Sequence, residues 1–464
     1  MKGLLRHGLW ICYLIFFQTF IFSIIIFQVR SPLPTDLDYD VTALRAPSDD
    51  DNFAYLLEDS QVALHMRLAL IHKAETTIAL TTYAIHDGQA RDVLYGALLS
   101  AADRGVRVKL VIDGFVEGRF ISDFQTTSHF MTHPNIEVRF FEPFALYRPH
   151  AVQNRLHDKL LIVDQQYGII GGRNIGDRYF MVSEQTEAMT YDRDVLIFGY
   201  PKSQAVLDMQ TYFDELFEHP YTARENEQET TSVSVATKHM LRAAYEHYVI
   251  DETLELDKKI TYLHDHAVKT DAITFLRSPL NRMHKQPVIF NTLKQLAISY
   301  DTFLIQTPYF IADRLMREHF AAFEDVDVTV LTNSPMTNPN LLAVAGYAPI
   351  RDQLAAKTTL YEYHAHSSIH AKTLLMGDDI TVIGSYNIDP RSVSLSTESV
   401  VVIHSETFQE VTRFAIEPLI HTSLHISSEG THNLHDLPII EETRTRRFIR
   451  AMLEFLLRPF DYML

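Results

Sequence analysis

Two stretches of the chain carry, at one shared spacing, residue types that can hold an anion and move a proton. LHDKLLIVDQQYGIIGGRN runs from Leu156 to Asn174, and IHAKTLLMGDDITVIGSYN from Ile369 to Asn387. Laid over each other without a gap, they match at His157 and His370, Lys159 and Lys372, Gly171 and Gly384, and Asn174 and Asn387. Side chains two apart on a strand share a face, so each histidine is expected beside its lysine. A turn follows, and a glycine then allows close backbone approach, which returns the asparagine to the same place. An imidazole, an ammonium and an amide grouped this way suit an oxyanion with a transferable group. Lysine supplies charge, asparagine a directed donor, and Ser385 a further donor in the second copy. With two such groups face to face, one histidine can attack phosphorus while the other protonates the leaving alkoxide and then deprotonates an incoming hydroxyl. No metal or other cofactor is required, because the lysines hold the phosphate charge. Each imidazole needs its tautomer fixed, usually by an acid. Asp194 in RDVLIFG is the candidate for His157, and Glu398 in TESVVVIH for His370.

The elements that must position these residues also occur twice. Upstream of the first motif come a strand-like run ending in Thr81–Ile85, a helical stretch, VRVKLVIDG (Val106–Gly114), and an isolated strand-like run, IEVRFFEP (Ile136–Pro143). Upstream of the second come FLIQTPYFI (Phe303–Ile311), a helical stretch, VDVTVLTNS (Val326–Ser334) and TTLYEYH (Thr358–His364). Strands alternating with helices predict an α/β layer structure, here two similar lobes, each a mixed sheet flanked by helices. The expected organisation is an anchor over 1–28, a linker over 29–52, a first lobe over 53–222, an acidic inter-lobe segment over 223–285, a second lobe over 286–420, and a C-terminal extension over 421–464.

Bulk properties narrow the partners. The 464 residues carry a net charge of −18, and duplex nucleic-acid binders usually show a basic excess, so nucleic acid is not an expected partner. The single cysteine, Cys12, lies in an N-terminal apolar run, so the remainder has no disulfide, thiolate metal site or cysteine nucleophile. That run, Gly8 to Phe27, is twenty residues long with only Gln18, Thr19 and Ser23 polar. About 20 apolar residues span a bilayer as a helix, and no small-residue cleavage site follows. An uncleaved single-pass anchor in the cell membrane is expected. Lys2 and Arg6 precede the run, whereas Arg30 and Arg45 follow among acids. Cations stay on the cytoplasmic side, which puts the body of the protein on the extracytoplasmic side.

HxKx4D with a trailing GGxN or GSxN, in two related copies, resembles the phospholipase D superfamily. SAADRGVRVKLVIDG, GGRNIGDRYF, LTNSPMTNPNLLAVAGYA and GSYNIDPRS are more narrowly similar to bacterial cardiolipin synthases, especially the C type. The resemblance spans most of residues 60–420. It implies a covalent phosphohistidine, no metal, and transfer of a phosphatidyl group from phosphatidylglycerol or phosphatidylethanolamine to phosphatidylglycerol. By family convention the nucleophile is in the first motif, His157, with His370 as acid and base. A phospholipase D or phosphodiesterase passing the same intermediate to water would use the same residues. A nuclease and a non-catalytic lipid-binding protein are weaker alternatives.

One position departs from the pattern. The first copy has the family aspartate, Asp164, where the second has Gly377. It falls at a strand-to-strand turn, where Asp and Gly are both favoured, so Asp164, like Gly171, Gly172, Gly384 and Ser385, is expected to shape the motif. His364, His366 and His370 could alternatively ligate a metal, but the first copy has no equivalent. Tyr83 and Tyr309 occupy matching positions and either line the pocket or pack in the core. Near the C-terminus, Ile449, Met452, Leu453 and Leu456 share a helical face with Arg444, Arg447 and Arg450 nearby. Such a helix lies on an anionic membrane or packs on the second lobe.

Overall fold

Long apolar runs with little alternation predict strands covered on both faces, and they form the centres of two nine-stranded sheets. The computed structural model describes residues 10, 13–14, 17–18, 21 and 35–457, apart from 49, 117–123, 146–147, 181–188, 226–228, 283, 313–315 and 318–320. The first lobe contributes β1 (Asp51–Leu57), β2 (Thr77–Thr82), β3 (Arg107–Asp113), β4 (Ile136–Phe141), β5 (Leu160–Val163), β6 (Tyr167–Gly171), β7 (Thr190–Tyr191), β8 (Asp194–Tyr200), β9 (Thr222–Arg224) and β10 (Val268–Thr270). The second contributes β11 (Ala272–Arg277), β12 (Thr302–Gln306), β13 (Asp327–Asn333), β14 (Thr359–Tyr363), β15 (Ser368–Ile369), β16 (Thr373–Met376), β17 (Ile380–Gly384), β18 (Ser399–His404), β19 (Ser423–Ser427) and β20 (Gly430–His432).

The two sheets have the same order through their centres: β1-β8-β6-β5-β2-β3-β4 in one and β11-β18-β17-β16-β12-β13-β14 in the other. Both are mixed. β2–β3–β4 and β12–β13–β14 are parallel, while β5 and β16 pair antiparallel to their neighbours. All four residues of β5 and of β16 are buried. Helices Ser60–Lys73 and Gln89–Asp103 cover one face of the first sheet, with Leu64, Leu68, Leu94 and Leu98 in its core. Asp59 starts the former by accepting from the Val62 amide at 2.8 Å. The opposite face carries helix Gln204–Glu218. Its Met209, Tyr212 and Phe213 belong to a cluster that also takes Ile383, Val401 and Ile403 of the second sheet. The lobes therefore share an apolar core, and burial of this kind disfavours their separation by roughly 25 cal/mol per Å² removed from water.

The stretch 223–285 is not the expected connection. β9 and β10 are edge strands of the first sheet, and helices Ser232–Asp251 and Leu256–His266 pack over Gln89–Asp103 and Ser60–Lys73. β11 pairs with β18 in the second sheet, so the boundary falls at Asp271, between β10 and β11. Short edge strands and exposed acidic helix faces carry weak alternation, which made the helix-rich stretch read as an inter-lobe connection and not as part of the first lobe. Residues 35–46 lie on the second lobe before β1 enters the first. Leu44 is buried in the second core, and the Tyr39 hydroxyl accepts from the Arg277 amide at 2.9 Å.

Among the described residues no helix is long and apolar enough to cross a membrane. The expected anchor, 1–28, lies almost wholly outside the described residues. The C-terminal helix Arg444–Leu457 packs on helix Leu341–Tyr347. Ile449 and Leu453 are half-buried, whereas Phe448, Met452, Phe455 and Leu456 face outward.

Candidate active site

The two motifs enter their sheets at equivalent places. His157 and Lys159 sit in the extended segment leading into β5, and His370 and Lys372 in the one leading into β16. Each lysine folds back so that its Nζ donates to the carbonyl of its own histidine. The residue between them faces the other way. Asp158 is fully buried and accepts from the Tyr212 hydroxyl at 2.8 Å. The antiparallel return through β6 and β17 then brings Asn174 and Asn387 back to the same pocket. Both amide oxygens are buried with no hydrogen-bond partner among the described residues; as acceptors they suit a ligand hydroxyl, whereas an oxyanion would be held by the amide nitrogens.

Each motif is completed by the other lobe. β7 and β15 form a two-stranded parallel ribbon across the boundary, and the His370 amide donates to the Tyr191 carbonyl at 2.6 Å. In the mirror-related place, Leu156 bridges Thr397, and the His157 amide donates to the Thr397 carbonyl at 3.1 Å. The residue after each of these contacts is an acid. Glu398 reaches His157 Nδ1 at 3.0 Å, and Asp192 reaches His370 Nδ1 at 2.6 Å. With each Nδ1 held by a carboxylate, each Nε2 is left for chemistry.

Both orienter assignments are corrected by this geometry. Glu398 serves His157, not His370, because the acids are exchanged between lobes. Asp194 serves neither histidine. It is fully buried in ion pairs with Arg67 at 2.7 Å and Arg173 at 2.9 Å. Strand register explains the slip. Gly171 pairs with Asp194, whereas Gly384 pairs with Val400. The equivalent of Glu398 is therefore two residues earlier, at Asp192, and Asp194 stands one step further into the sheet. The remaining motif residues frame these acids. A Cβ on Gly172 would collide with the Asp192 carboxylate, and at the matching place Ser385 donates to Glu398 at 2.5 Å. Gly171 and Gly384 pair with the strands that follow the acids.

Asp164 is part of the scaffold. It has φ of 53° at the β5–β6 turn and accepts from the amides of Glu75, Thr76 and Thr77 and from the Thr76 hydroxyl, all within 2.8 Å. Gly377 keeps the same left-handed backbone with φ of 55°. There a Cβ would run into the Tyr300 ring, so the second lobe has filled with an aromatic ring the space that its counterpart gives to a carboxylate.

The motifs line a cavity of about 530 Å³ shared by Tyr83, His157, Asn174, Tyr309, His370, Asn387 and Glu398. Both matched tyrosines thus line the pocket; the Tyr83 ring lies 5.2 Å from that of His157, and Tyr309 6.4 Å from that of His370. His364 is turned away, toward the Ser334 hydroxyl at 3.3 Å and the Ile440 amide at 2.9 Å. Desolvation dominates the electrostatics. Burial pushes Lys159 down to about 7 and Lys372 down to about 8. Burial and then the Lys159 and Lys372 charges hold His157 well below its usual value, and burial and Lys372 take His370 to about 3. Burial raises Glu398 to about 7. For Asp192, burial works upward but is outweighed by His370 and Lys372, leaving it below the usual carboxylate range. These shifts favour two neutral imidazoles, an ionised Asp192 and a weakly acidic Glu398. This suits an anion, which would restore the lysine charge.

Several pocket residues were not singled out beforehand. Asp192 was legible as the first acid of the DRD triplet, but choosing it requires the strand register. Ser392 donates to Glu398 at 2.6 Å. Arg178 and Arg391 also line the pocket, at the offset that relates His157 to His370, so extending the repeat by four residues would have found them.

Comparison with known proteins places both lobes in one family. The family model described as "Cardiolipin synthase, PLD-like domain" matches residues 68–217 and 292–416, one stretch per lobe. Similar proteins include Cardiolipin synthase C of Escherichia coli (strain K12), 29% identical over 405 residues and covering 76% of this chain and 82% of that one. An uncharacterized protein of Helicobacter pylori is 28% identical over 417 residues, covering 80% of each. Among solved structures, a phosphatidylserine synthase from Haemophilus influenzae Rd KW20 superposes with a TM-score of 0.62 at 15% identity, covering 89% of this chain and 97% of that one, which is a likeness of fold.

Proposed function

The chain belongs to the phospholipase D-like family of cardiolipin synthase type, a phospholipid-modifying enzyme family, and from that premise we propose that it makes cardiolipin through a phosphohistidine on His157. The observation that carries the reading is the pair of imidazoles in one pocket, each fixed at Nδ1 by a buried carboxylate and flanked by a lysine. In the first half, His157 Nε2 attacks the phosphorus of phosphatidylglycerol. The N–P bond forms, the bond to the headgroup glycerol breaks, and His370 gives its Nε2 proton to the departing alkoxide. In the second half, the hydroxyl of another phosphatidylglycerol gives its proton back to His370 as its oxygen attacks phosphorus and the N–P bond breaks. Lys159, Lys372, Asn174 and Asn387 hold the non-bridging oxygens, where charge rises in the transition state. Phosphatidylethanolamine is a second donor by the same steps.

The roles fit the two acids. His370 must cycle through imidazolium, and Asp192, held ionised, stabilises that cation. Burial first and Lys372 second hold His370 neutral, and the charge of a bound phosphate offsets the Lys372 contribution and so favours the protonated form. His157 needs a free, neutral Nε2, which its burial supplies. The apolar run Gly8–Phe27 would tether the enzyme to the cell membrane, with the lobes on the extracytoplasmic side.

The test uses purified protein in mixed micelles of phosphatidylglycerol and phosphatidylethanolamine with EDTA, followed by mass spectrometry of the lipids. Cardiolipin from the wild type, lost in both His157→Ala and His370→Ala, is the expected outcome. Phosphatidic acid without cardiolipin would make it a hydrolase and refute the transfer reading.

A further inference from the structure

The two-fold character of the pocket extends beyond the histidines, lysines and asparagines to a pair of arginines that the steps above leave without a task. Arg178 and Arg391 each follow the motif asparagine by four residues, on the short helices Asp177–Phe180 and Pro390–Ser394, and both line the cavity. They stand on opposite wings. Arg391 is on the His157 side, where its charge adds to burial and to Lys159 and Lys372 in depressing that imidazole. Its Nη1 donates to Gln153 at 2.9 Å. Arg178 is on the His370 side. Its guanidinium carbon lies 4.9 Å from the Tyr179 ring, whose centroid is 5.6 Å from that of His370. Its Nε is buried with no hydrogen-bond partner among the described residues.

We propose that Arg178 binds the phosphodiester of the acceptor lipid, so that the site selects an anionic lipid alcohol over neutral alcohols and water. The inference rests on the transfer reading. The acceptor oxygen must approach phosphorus opposite the breaking His157 N–P bond, and therefore from the side of His370, which receives its proton. Any phosphate the acceptor carries lies on that same side, one glycerol away from the attacking oxygen. Lys159 and Lys372 are already engaged by the reacting phosphate. Arg178 is the cation beyond them, and a guanidinium presents paired N–H donors that match two phosphate oxygens. The geometry also separates the arginines by task, since Arg391 stands where the acceptor does not enter.

The experiment measures two products in one vessel. Full-length protein is given phosphatidylglycerol in mixed micelles with ethanol, so that cardiolipin and phosphatidylethanol report an anionic and a neutral acceptor meeting the same phosphoenzyme. Arg178→Gln should lower the ratio of cardiolipin to phosphatidylethanol by about tenfold or more, and Arg178→Lys should recover part of it. An unchanged ratio, whether both products fall together or neither does, overturns the proposal. A second arm needs no variant: the wild type should use a neutral lipid alcohol, monoacylglycerol, at least about tenfold less well than phosphatidylglycerol. Equal use also overturns it. Failure of the transfer reading looks different, because the wild type itself would then yield phosphatidic acid or phosphatidylethanol but no cardiolipin, and the proposal would fall with it.

Discussion

The two halves of the active site are built alike and tuned differently. Around His157 the orienting acid is Glu398, which also accepts from Ser385 and Ser392 and is raised to about 7 by burial. Around His370 it is Asp192, which accepts from the Arg193 amide at 2.9 Å and is held ionised by His370 and Lys372 against its burial. Serine against glycine at the matching positions 385 and 172 is part of that difference. One framework thus yields a histidine paired with a weak acid and a histidine paired with a firm anion. Under the proposed function, the firm anion suits the histidine that must become a cation, His370.

The sharpest way to break this comparison is to remove each imidazole. His157→Ala should abolish transfer. His370→Ala should slow it by roughly 10²–10⁴-fold, the usual worth of a general acid, which removes cardiolipin from the end-point micelle assay. With a donor whose leaving group needs no protonation, a p-nitrophenyl ester, His370→Ala should still load a phosphatidyl group onto the protein. Intact-protein and peptide mass spectrometry should place that adduct on His157; an adduct on His370 would invert the roles. The acids come next. Asp192→Asn should cost on the order of 10²–10³-fold in kcat, because it removes both the tautomer lock and the counter-charge. Glu398→Gln should cost at least several-fold less, since the acid it replaces is already half-protonated near neutrality. Equal losses would erase the distinction between the half-sites.

A smaller effect concerns the lysines. Lys159 at about 7 and Lys372 at about 8 bind anions only when protonated. Affinity for vanadate, followed as inhibition, should therefore be greatest below pH 7 and fall as pH rises through 7 to 8. Above that range the fall should approach about tenfold per unit for each lysine that must take up a proton. Affinity independent of pH between 6 and 9 would contradict the desolvated pair.

The smallest effect is expected at the turns, where the lobes differ without chemical consequence. Asp164→Ala removes hydrogen bonds to three amides and a hydroxyl, and should cost about 1–3 kcal/mol in denaturant unfolding at neutral pH, with kcat changed less than about twofold. Burial opposes, but those donors outweigh it and hold the Asp164 carboxyl below its usual range. Its contribution is therefore present at neutral pH and lost as the carboxyl protonates in acid. Gly377→Asp should also destabilise, because its Cβ meets Tyr300. A large loss of kcat from either variant would return this position to the chemistry.

Much of this was legible in the sequence because it is local. The duplicated lobe, the HxK pairs and the returning asparagines follow from periodicity and turns, which a short window contains. The acids were not legible in the same way. Choosing Asp192 over Asp194 requires knowing that Gly171 faces Asp194 while Gly384 faces Val400, and a two-residue offset along the same strand face changes which acid reaches the pocket. Exchanging Glu398 and Asp192 between lobes requires contacts across some 180 to 240 residues. The edge strands within 223–285 were missed for a related reason: a short strand is defined by its neighbour more than by its own residues.

The ribbon of β7 and β15 and its counterpart at Leu156 and Thr397 bear on how such a molecule can change over generations. Duplication normally frees one copy to drift while the other keeps working. Here each copy holds the acid that the other's histidine needs, so the loss of either copy disables both, and the usual slack of redundancy is absent. Drift is left only to devices that begin and end within one lobe. The turn is such a device, and it is there that aspartate in one repeat and glycine against a tyrosine in the other have gone separate ways.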